Sequence, residues 1–211
     1  MKIIYIEAKN KKESNGEFID ENFIKTLPNE IFLLYSIQFY NQALAMKKAL
    51  ETSGIRVKGF QQVLGCTKLK TQYPILLIGQ GRFHALNLAV QNPQNPLIIY
   101  DNGSSFVITK KEIQEIEKKR QLSLNKFLHA KNIGILVSTK PGQENLKQAE
   151  ELQNKINKKY PEKKIFIFIS NMINTSEFEN FDIDIFINTA CPGLARDSSK
   201  VINSDDIYQF L

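Results

Sequence analysis

Continuous apolar runs alternate with amphipathic segments along the first half of the chain. Ile31–Tyr35, Ile75–Ile78 and Leu97–Tyr100 are apolar throughout, as is typical of strands inside a parallel sheet that is covered on both faces. From Gln38 to Ser53 the apolar side chains recur at three- and four-residue steps, which predicts a helix. Gly54 suits the C-terminal end of that helix. A strand followed by a crossover helix begins a βαβ unit.

The second half of the chain repeats this alternation. The periodicity predicts a long helix from about Lys110 to His129 and another from Glu144 to Lys159. The apolar runs predicted as strands in this half are Ile133–Val137, Lys164–Ile169 and Ile183–Ile187. The pattern therefore predicts an α/β protein, with two similar three-layer α/β domains and mainly parallel sheets.

The predicted domains occupy residues 27–108 and 109–211 and join near Ser104–Thr109. The opening run Ile3–Ile6 is a good strand by itself, and a polar loop follows it, so residues 1–26 precede both domains as a strand and a linker. IFLLYS and IGILVS, each with its helix, look like one unit used twice. Their identity is too slight to establish an internal repeat.

The composition is typical of a globular chain without a membrane segment. Of the 211 residues, 42% are hydrophobic and 24% are charged, which is enough for one large or two small cores. No apolar run approaches the roughly 20 residues that cross a bilayer, and MKIIYIE is too short and too soon charged for a signal peptide. We expect a cytoplasmic protein with no membrane partner. In that compartment, two cysteines favour a catalytic, metal-binding or packing role over a disulfide.

The formal charge of +6 is unevenly distributed. Residues 110–164 contain 14 Lys or Arg against 7 acids, whereas residues 165–211 contain 2 against 7. Much of the basic excess lies in KKEIQEIEKKRQ, where acids and bases interleave as on a solvated helix face. The alternative is a docking face for an acidic or nucleic-acid-bound partner. Because no nucleic-acid motif with interleaved aromatic residues is present, we expect no direct nucleic-acid partner.

Cys66 and Cys191 each follow a strand-like run, in the strings VLGC and INTACPG. Two thiols so far apart in sequence meet only where two domains face each other, which is the geometry of a shared metal or cluster site. The thiolate is the ligand form, and Pro192 stiffens its loop, so Cys191 suits a soft metal. The alternative is a small buried hydrophobe at the end of a strand. The absence of C-x-x-C excludes zinc-ribbon and rubredoxin-like sites.

Two further loops are candidates for an anion site, because ligands of open parallel sheets bind beyond the carboxyl ends of the strands. Ser138–Gln143 (STKPGQ) leads into a helix, whose first amides attract a carboxylate or phosphate, and Lys140 adds charge. Gly79–His84 (GQGRFH) offers two glycines, a cation and an imidazole. Both segments are also typical of ordinary turns between a strand and a helix.

Together these motifs resemble one enzyme family. VLGC, GQGRFHALNLA, a strand that ends in Asp101, GILVSTKPGQ and DIFINTACPG follow in that order over nearly the whole chain. The chain thereby resembles 2-(3-amino-3-carboxypropyl)histidine synthase, the radical enzyme of the first step of diphthamide synthesis. The resemblance implies three similar α/β domains that each give one cysteine to a 4Fe-4S cluster, whose fourth iron binds S-adenosylmethionine. It further implies transfer of a 3-amino-3-carboxypropyl group to a histidine of elongation factor 2.

The resemblance also assigns roles to particular residues. Cys66 corresponds to the iron ligand of the second domain and Cys191 to that of the third. The first-domain cysteine is missing, and MKIIYIEAK, within residues 1–26, resembles the segment that leads out of that domain. Gly193 stands where the family usually has an arginine, and Arg196 follows a little later. The residues expected to hold S-adenosylmethionine or to border its cleft are Lys140, Gly142, Gln143, Arg82, His84 and Asp197.

Three explanations of the missing ligand remain open. In the first, which we favour, the enzyme is split: a separate polypeptide with the first domain supplies the third thiolate, and Ile3–Ile6 pairs into its sheet. In the second, the chain is a non-catalytic scaffold in a heterodimer, which the loss of the arginine at Gly193 favours. In the third, the chain is a plain ligand-binding or interaction module, or a homodimer that gathers four thiolates around a 2Fe-2S centre.

Overall fold

The computed structural model describes residues 4, 6–9, 19–80 and 82–211, apart from the side chains of residues 197 and 209. The chain divides into two units, the first ending at Gln114 and the second running from Glu115 to Leu211. The division falls inside the helix Lys110–His129. Each unit has its own sheet and its own apolar core.

Five strands form the sheet of the first unit: β1 (Glu30–Tyr35), β2 (Arg56–Gln62), β3 (Ile75–Ile78), β4 (Leu97–Asp101) and β5 (Ser104–Val107). They lie in the order β2-β1-β3-β4-β5. The first four are parallel, and β5 runs antiparallel to β4. All four residues of β3 are buried, as expected for an apolar strand inside a sheet with both faces covered.

Helices cover both faces of this sheet. They are α1 (Glu21–Lys25), α2 (Tyr40–Thr52), which follows a 3-10 turn, and α3 (Arg82–Gln91). The buried side of α2, which includes Met46, packs with Leu33 in one core cluster. Leu88 of α3 packs with Leu77 in another. Leu33 and Leu77 thus mark opposite faces, and the first unit has three layers.

The second unit is built from a similar set of elements. Its helices are α4 (Lys110–His129), which begins in the first unit, α5 (Leu146–Lys159), α6 (Leu194–Asp197) and α7 (Ser204–Ile207). Its strands are β6 (Asn132–Ser138), β7 (Lys164–Ser170), β8 (Ile185–Asn188) and β9 (Val201–Asn203). All of the strands are parallel, in the order β7-β6-β8-β9. Side chains from α4 and α5 share one core cluster on a single face of the sheet. Phe186 lies in a smaller cluster that contains aromatic side chains and Ala195 of α6.

The two sheets have the same topology over their first four strands. In each, the second strand pairs outside the first, and the third and fourth follow on the other side. β1 and β6 are therefore equivalent, in agreement with the likeness of IFLLYS and IGILVS. The predicted fold class, two α/β domains with mainly parallel sheets, is confirmed.

Three strands were not predicted from the pattern. β2 carries charged residues at an edge, β5 is short and exposed, and β9 has three residues. β5 belongs to the first sheet and lies within the segment Ser104–Thr109, near which the two domains were predicted to join. Of the strand predicted at Ile3–Ile6, residues 3 and 5 lie outside the described residues, and Ile4 and Ile6 are exposed and not in a strand.

Within the part of the chain that the structure describes, no helix combines the length and the apolar character that crossing a membrane requires.

Candidate functional site

Cys66 lies in a tight turn beyond the carboxyl end of β2. The backbone N–H of Thr67 donates to the carbonyl oxygen of Leu64 at 3.0 Å, and the hydroxyl of Thr67 accepts from the N–H of Leu64 at 2.7 Å. These two hydrogen bonds close the turn around Gly65 and Cys66. Cys66 is exposed, so its side chain is not part of the core.

The turn is pressed against the beginning of α3. A Cβ atom at Gly65 would collide with the ring of Phe83, so glycine is required there by the close approach of the ring. The side-chain amide of Asn87, one turn along α3, donates a hydrogen bond to the carbonyl oxygen of Gly65. The backbone next to Cys66 is therefore fixed by two side chains of one helix.

Further amides of this region fasten the rest of the loop. Gln91 accepts from the N–H of Leu69 at 2.9 Å and donates to the carbonyl of Thr67 at 3.1 Å. Asn92, which is buried, donates to Leu69 and accepts from the N–H of Thr71, both at 2.9 Å. The sequence patterns above did not indicate these amides. The spacing of positions 87, 91 and 92, on one side of α3 and just after its end, was the available signal.

Cys191 lies beyond β8, and its loop is held in a similar way. The carboxamide of Asn188 accepts from the N–H of Ala190 at 3.0 Å and donates to the carbonyl oxygen of Cys191 at 2.8 Å. The N–H of Leu194 donates to the same carbonyl oxygen at 3.1 Å. Cys191 is partly exposed. Neither cysteine is therefore fully buried within its own unit.

The two cysteine loops are not equivalent in the repeated topology. β2 lies at the edge of the first sheet, whereas β8 lies inside the second. The counterpart of the Cys191 loop in the first unit is the loop after β3, which contains Gly79. The two units thus carry their cysteines at different places of one fold.

The segment STKPGQ forms a β-turn in front of α5. The N–H of Gln143 donates to the carbonyl oxygen of Lys140 at 3.0 Å, and Gly142 has a φ of +77°, as the third position of a type II turn requires. The helix predicted from Glu144 begins at Leu146, so the amides of Gly142 and Gln143 belong to this turn and not to the first turn of the helix. Lys140 and Gly142 are exposed, and Gln143 is half-buried.

This turn and the Cys191 loop lie next to each other at the carboxyl ends of β6 and β8. The N–H and the hydroxyl of Thr189 both donate to the carbonyl oxygen of Leu136, at 3.2 and 2.8 Å. The side-chain amide of Asn145 donates to the carbonyl oxygen of Thr189 at 2.7 Å. The structure thus brings Cys191 into the same loop cluster as Lys140, Gly142 and Gln143.

Arg82 and His84 lie at the start of α3, in the same unit as Cys66. The guanidinium of Arg82 pairs with the carboxylate of Glu112. The rings of His84 and Phe83 lie edge to face, with 5.6 Å between their centroids. Glu112 also accepts hydrogen bonds from the N–H and hydroxyl of Thr109, which together lower the pKa of its carboxyl group, with Arg82 contributing. Arg82 therefore also pairs with a carboxylate in the first turn of α4.

The remaining candidates lie on α6, after Cys191. Gly193 is the N-cap residue of this helix and offers it no side-chain hydrogen bond. Arg196 is half-buried, and the side chain of Asp197 lies outside the described residues. Cys66 belongs to the first unit and Cys191 to the second. Within the described residues, no three His, Cys, Asp or Glu side chains come close enough to hold a metal ion.

The chain matches a known protein family over most of its length. A profile of the diphthamide synthesis protein family matches residues 1–201. The chain belongs to the diphthamide synthesis protein family. The resemblance seen in the motif order is thereby confirmed.

Several members of the diphthamide synthesis protein family are similar to the chain. The 2-(3-amino-3-carboxypropyl)histidine synthase of Pyrococcus horikoshii is 30% identical over 201 residues, which are 88% of this chain and 55% of that protein. The synthase of Methanocaldococcus jannaschii is 32% identical over 64% of this chain and 40% of its own length. The chain spans about half the length of the Pyrococcus relative.

The solved structures of this family share the fold. The crystal structure of Dph2 from Pyrococcus horikoshii has a TM-score of 0.76 and 26% identity, over 88% of this chain and 58% of that one. The same values hold for the structure of that protein with a 4Fe-4S cluster. In the present chain, both cysteines are accessible and are carried on fastened loops, which fits thiolate ligands of an iron centre.

Proposed function

We propose that this chain takes part in transferring a 3-amino-3-carboxypropyl group from S-adenosylmethionine to a histidine of elongation factor 2, by iron-sulfur radical chemistry. The proposal rests on one observation: both cysteines lie, not fully buried, on loops beyond the carboxyl ends of strands, and side-chain hydrogen bonds hold these loops in place. A relative of the same family, solved with a 4Fe-4S cluster, supports it.

Cys66 and Cys191 are proposed as iron ligands. When bound, the cluster would supply the electron for cleavage of S-adenosylmethionine, while the protein orients the groups and excludes water. Cysteine thiolates hold such clusters, and this sequence has only two. We propose that a first domain of this family supplies the third thiolate. Activity would then require that domain together with the two units described here.

Lys140, Gly142 and Gln143 are proposed to hold the methionine end of S-adenosylmethionine. The ammonium of exposed Lys140 pairs with a carboxylate, and charge-assisted hydrogen bonds of this kind are the strong ones. Space around Gly142 is open, because a Cβ atom there would meet nothing within 4 Å, so a ligand can approach the backbone of the turn. Arg82, His84 and Asp197 are proposed to border the same cofactor.

A scaffold role in a heterodimer is the second candidate. Gly193 opens α6 without a side chain, where the family resemblance places an arginine. If that arginine takes part in catalysis elsewhere in the family, its loss leaves a chain that assists a partner. The two candidates differ in whether Cys66 and Cys191 are needed for the cluster.

The test is anaerobic reconstitution with iron and sulfide, followed by absorbance and EPR. The chain is measured alone and in a mixture with a polypeptide that carries a first domain of this family. Cys66→Ala and Cys191→Ala are compared with Ser105→Ala, which changes an exposed residue of β5.

The proposal predicts a 4Fe-4S signal in the mixture that is lost in both cysteine variants and kept in Ser105→Ala. A signal that survives both cysteine substitutions would point to the scaffold role. Absence of a cluster under every condition would refute the iron-sulfur chemistry.

A further inference from the structure

The last residue of β8, Asn188, is buried, with 2% of its surface exposed. We infer that Asn188 is a positioning residue for the Cys191 thiol, an inference that rests on the proposed function. Its carboxamide lies against the backbone of the very segment that carries Cys191, and every polar atom of the carboxamide is engaged.

The carboxamide binds the chain on both sides of the thiol. Its oxygen accepts from the N–H of Ala190 at 3.0 Å, and its nitrogen donates to the carbonyl of Cys191 at 2.8 Å. The Cys191–Pro192 peptide group and the Thr189–Ala190 peptide group, one residue earlier, are therefore both tied to one side chain. These bonds restrain the backbone on each side of Cys191, whereas the thiol can still rotate about the Cα–Cβ bond.

A second amide extends this arrangement to the next strand. The nitrogen of Asn188 also donates to the side-chain oxygen of Asn203, at the end of β9, at 2.8 Å. Asn203 in turn donates to the carbonyl oxygen of Pro192 at 3.3 Å. The carbonyls of residues 191 and 192 are thus held from two neighbouring strands of the sheet.

The chemistry of the site requires an amide at position 188. One acceptor and two donors are needed at once, and asparagine supplies them in a planar group. An aspartate has the same shape but no donor when it is ionised, and it would set a carboxylate against the carbonyl of Cys191 and the side-chain oxygen of Asn203. Asn188→Asp therefore keeps the acceptor for the N–H of Ala190 but removes the two donated hydrogen bonds, to Cys191 and to Asn203, without opening a cavity.

The test measures the reactivity of the thiol in the absence of iron. In a Cys66→Ser background, Cys191 is the remaining cysteine. Its rate of alkylation by iodoacetamide is followed by mass spectrometry as a function of pH, so that the limiting rate of the thiolate is compared and the charge of an introduced aspartate does not bias the result. We expect Asn188→Asp to raise the rate about fivefold. A factor of about five corresponds to the net free energy of one hydrogen bond, which in this variant no longer holds the loop closed. Asn203→Ala, at a less buried position, is expected to raise it in the same direction.

The matched control is Asn132→Ala at the opposite end of the same sheet. Its side chain donates to Asp182 at 3.1 Å, so the variant loses a hydrogen bond of the second unit without touching the Cys191 loop. Its alkylation rate should equal that of the parent. If Asn188→Asp does not fold, the test uses Asn203→Ala alone. Equal alkylation rates in Asn203→Ala and in the parent would then overturn the positioning role.

A second readout separates this inference from the proposed function. In the reconstituted mixture, the EPR spectrum of the cluster should differ between Asn188→Asp and the unchanged chain, because the ligand has shifted. Equal alkylation rates overturn the role of Asn188, whatever the cluster does. Absence of a cluster with the unchanged chain overturns the proposed function instead.

Discussion

The side-chain amide of Asn145 donates a hydrogen bond to the carbonyl oxygen of Thr189, with 2.7 Å between the two atoms. Asn145 is the N-cap residue of α5, yet its side chain makes no hydrogen bond to that helix. The amide joins two loops instead of capping its own helix. It directly links the loop that contains Gln143 to the loop that contains Cys191.

Removing this link should destabilise the second unit. Asn145→Ala leaves the carbonyl of Thr189 without this donor, and we expect the free energy of unfolding to fall by about 1 kcal/mol. Urea unfolding followed by circular dichroism measures the change. Asn154→Ala, at an exposed position of α5, is the control. An equal loss in both variants would show that the link contributes nothing.

The close approach of Gly65 and Phe83 gives a second prediction. Gly65→Ala should destabilise the first unit, because overpacking costs about 1–3 kcal/mol and exceeds the roughly 0.4–1 kcal/mol gained from a stiffer unfolded chain. The double variant Gly65→Ala/Phe83→Ala should cost less than the sum of the two single variants, since the ring is gone. Strictly additive unfolding energies would contradict the contact.

Glu112 gives a prediction about pH. Hydrogen bonds from Thr109, with a contribution from Arg82, lower the pKa of its carboxyl group. A carboxyl group whose pKa is lowered by folding stabilises the protein above its unfolded pKa, and that stabilisation is lost as the pH falls through the folded value. Glu112→Gln should therefore lower the melting temperature at pH 7 and less so at pH 3. A difference that is constant with pH would exclude the ionised carboxylate as its cause.

Lys163 holds the end of α4. Its ammonium donates to the carbonyl oxygens of Phe127, Leu128 and Ala130 at 3.3, 2.8 and 2.6 Å, and burial lowers its pKa. Lys163→Met should lower the free energy of unfolding by about 1–3 kcal/mol, because buried acceptors lose their donor. Lys164→Met, at the exposed neighbouring position, should be close to neutral. Equal effects in the two variants would contradict the capping role.

Much of the fold could be predicted because its central strands are uniformly apolar. β3 and β6 were predicted to within a residue, since a strand covered on both faces needs apolar side chains at every position. β2 was not predicted, because an edge strand tolerates the charges of Arg56 and Lys58. Local patterning does not distinguish such a strand from a loop.

The candidate site was predicted less completely. Cys66 and Cys191 stood out because cysteine is rare in this chain and each lies near the end of a strand. Asn87 and Asn188 did not, because an asparagine becomes informative only when its partner is known, and the partners come from the fold. The helix predicted from Glu144 begins at Leu146 instead, and the loop in front of it contains a β-turn in which Gly142 takes a positive φ.

The most direct test of the central claim is transfer to the protein substrate. Elongation factor 2, S-adenosylmethionine and a reductant are incubated anaerobically with this chain and a first-domain polypeptide, and the target histidine is examined by mass spectrometry. The account predicts a 3-amino-3-carboxypropyl adduct that requires both polypeptides and disappears in Cys66→Ala and in Cys191→Ala. An adduct that forms equally well with the two cysteine variants, or without this chain, would contradict it.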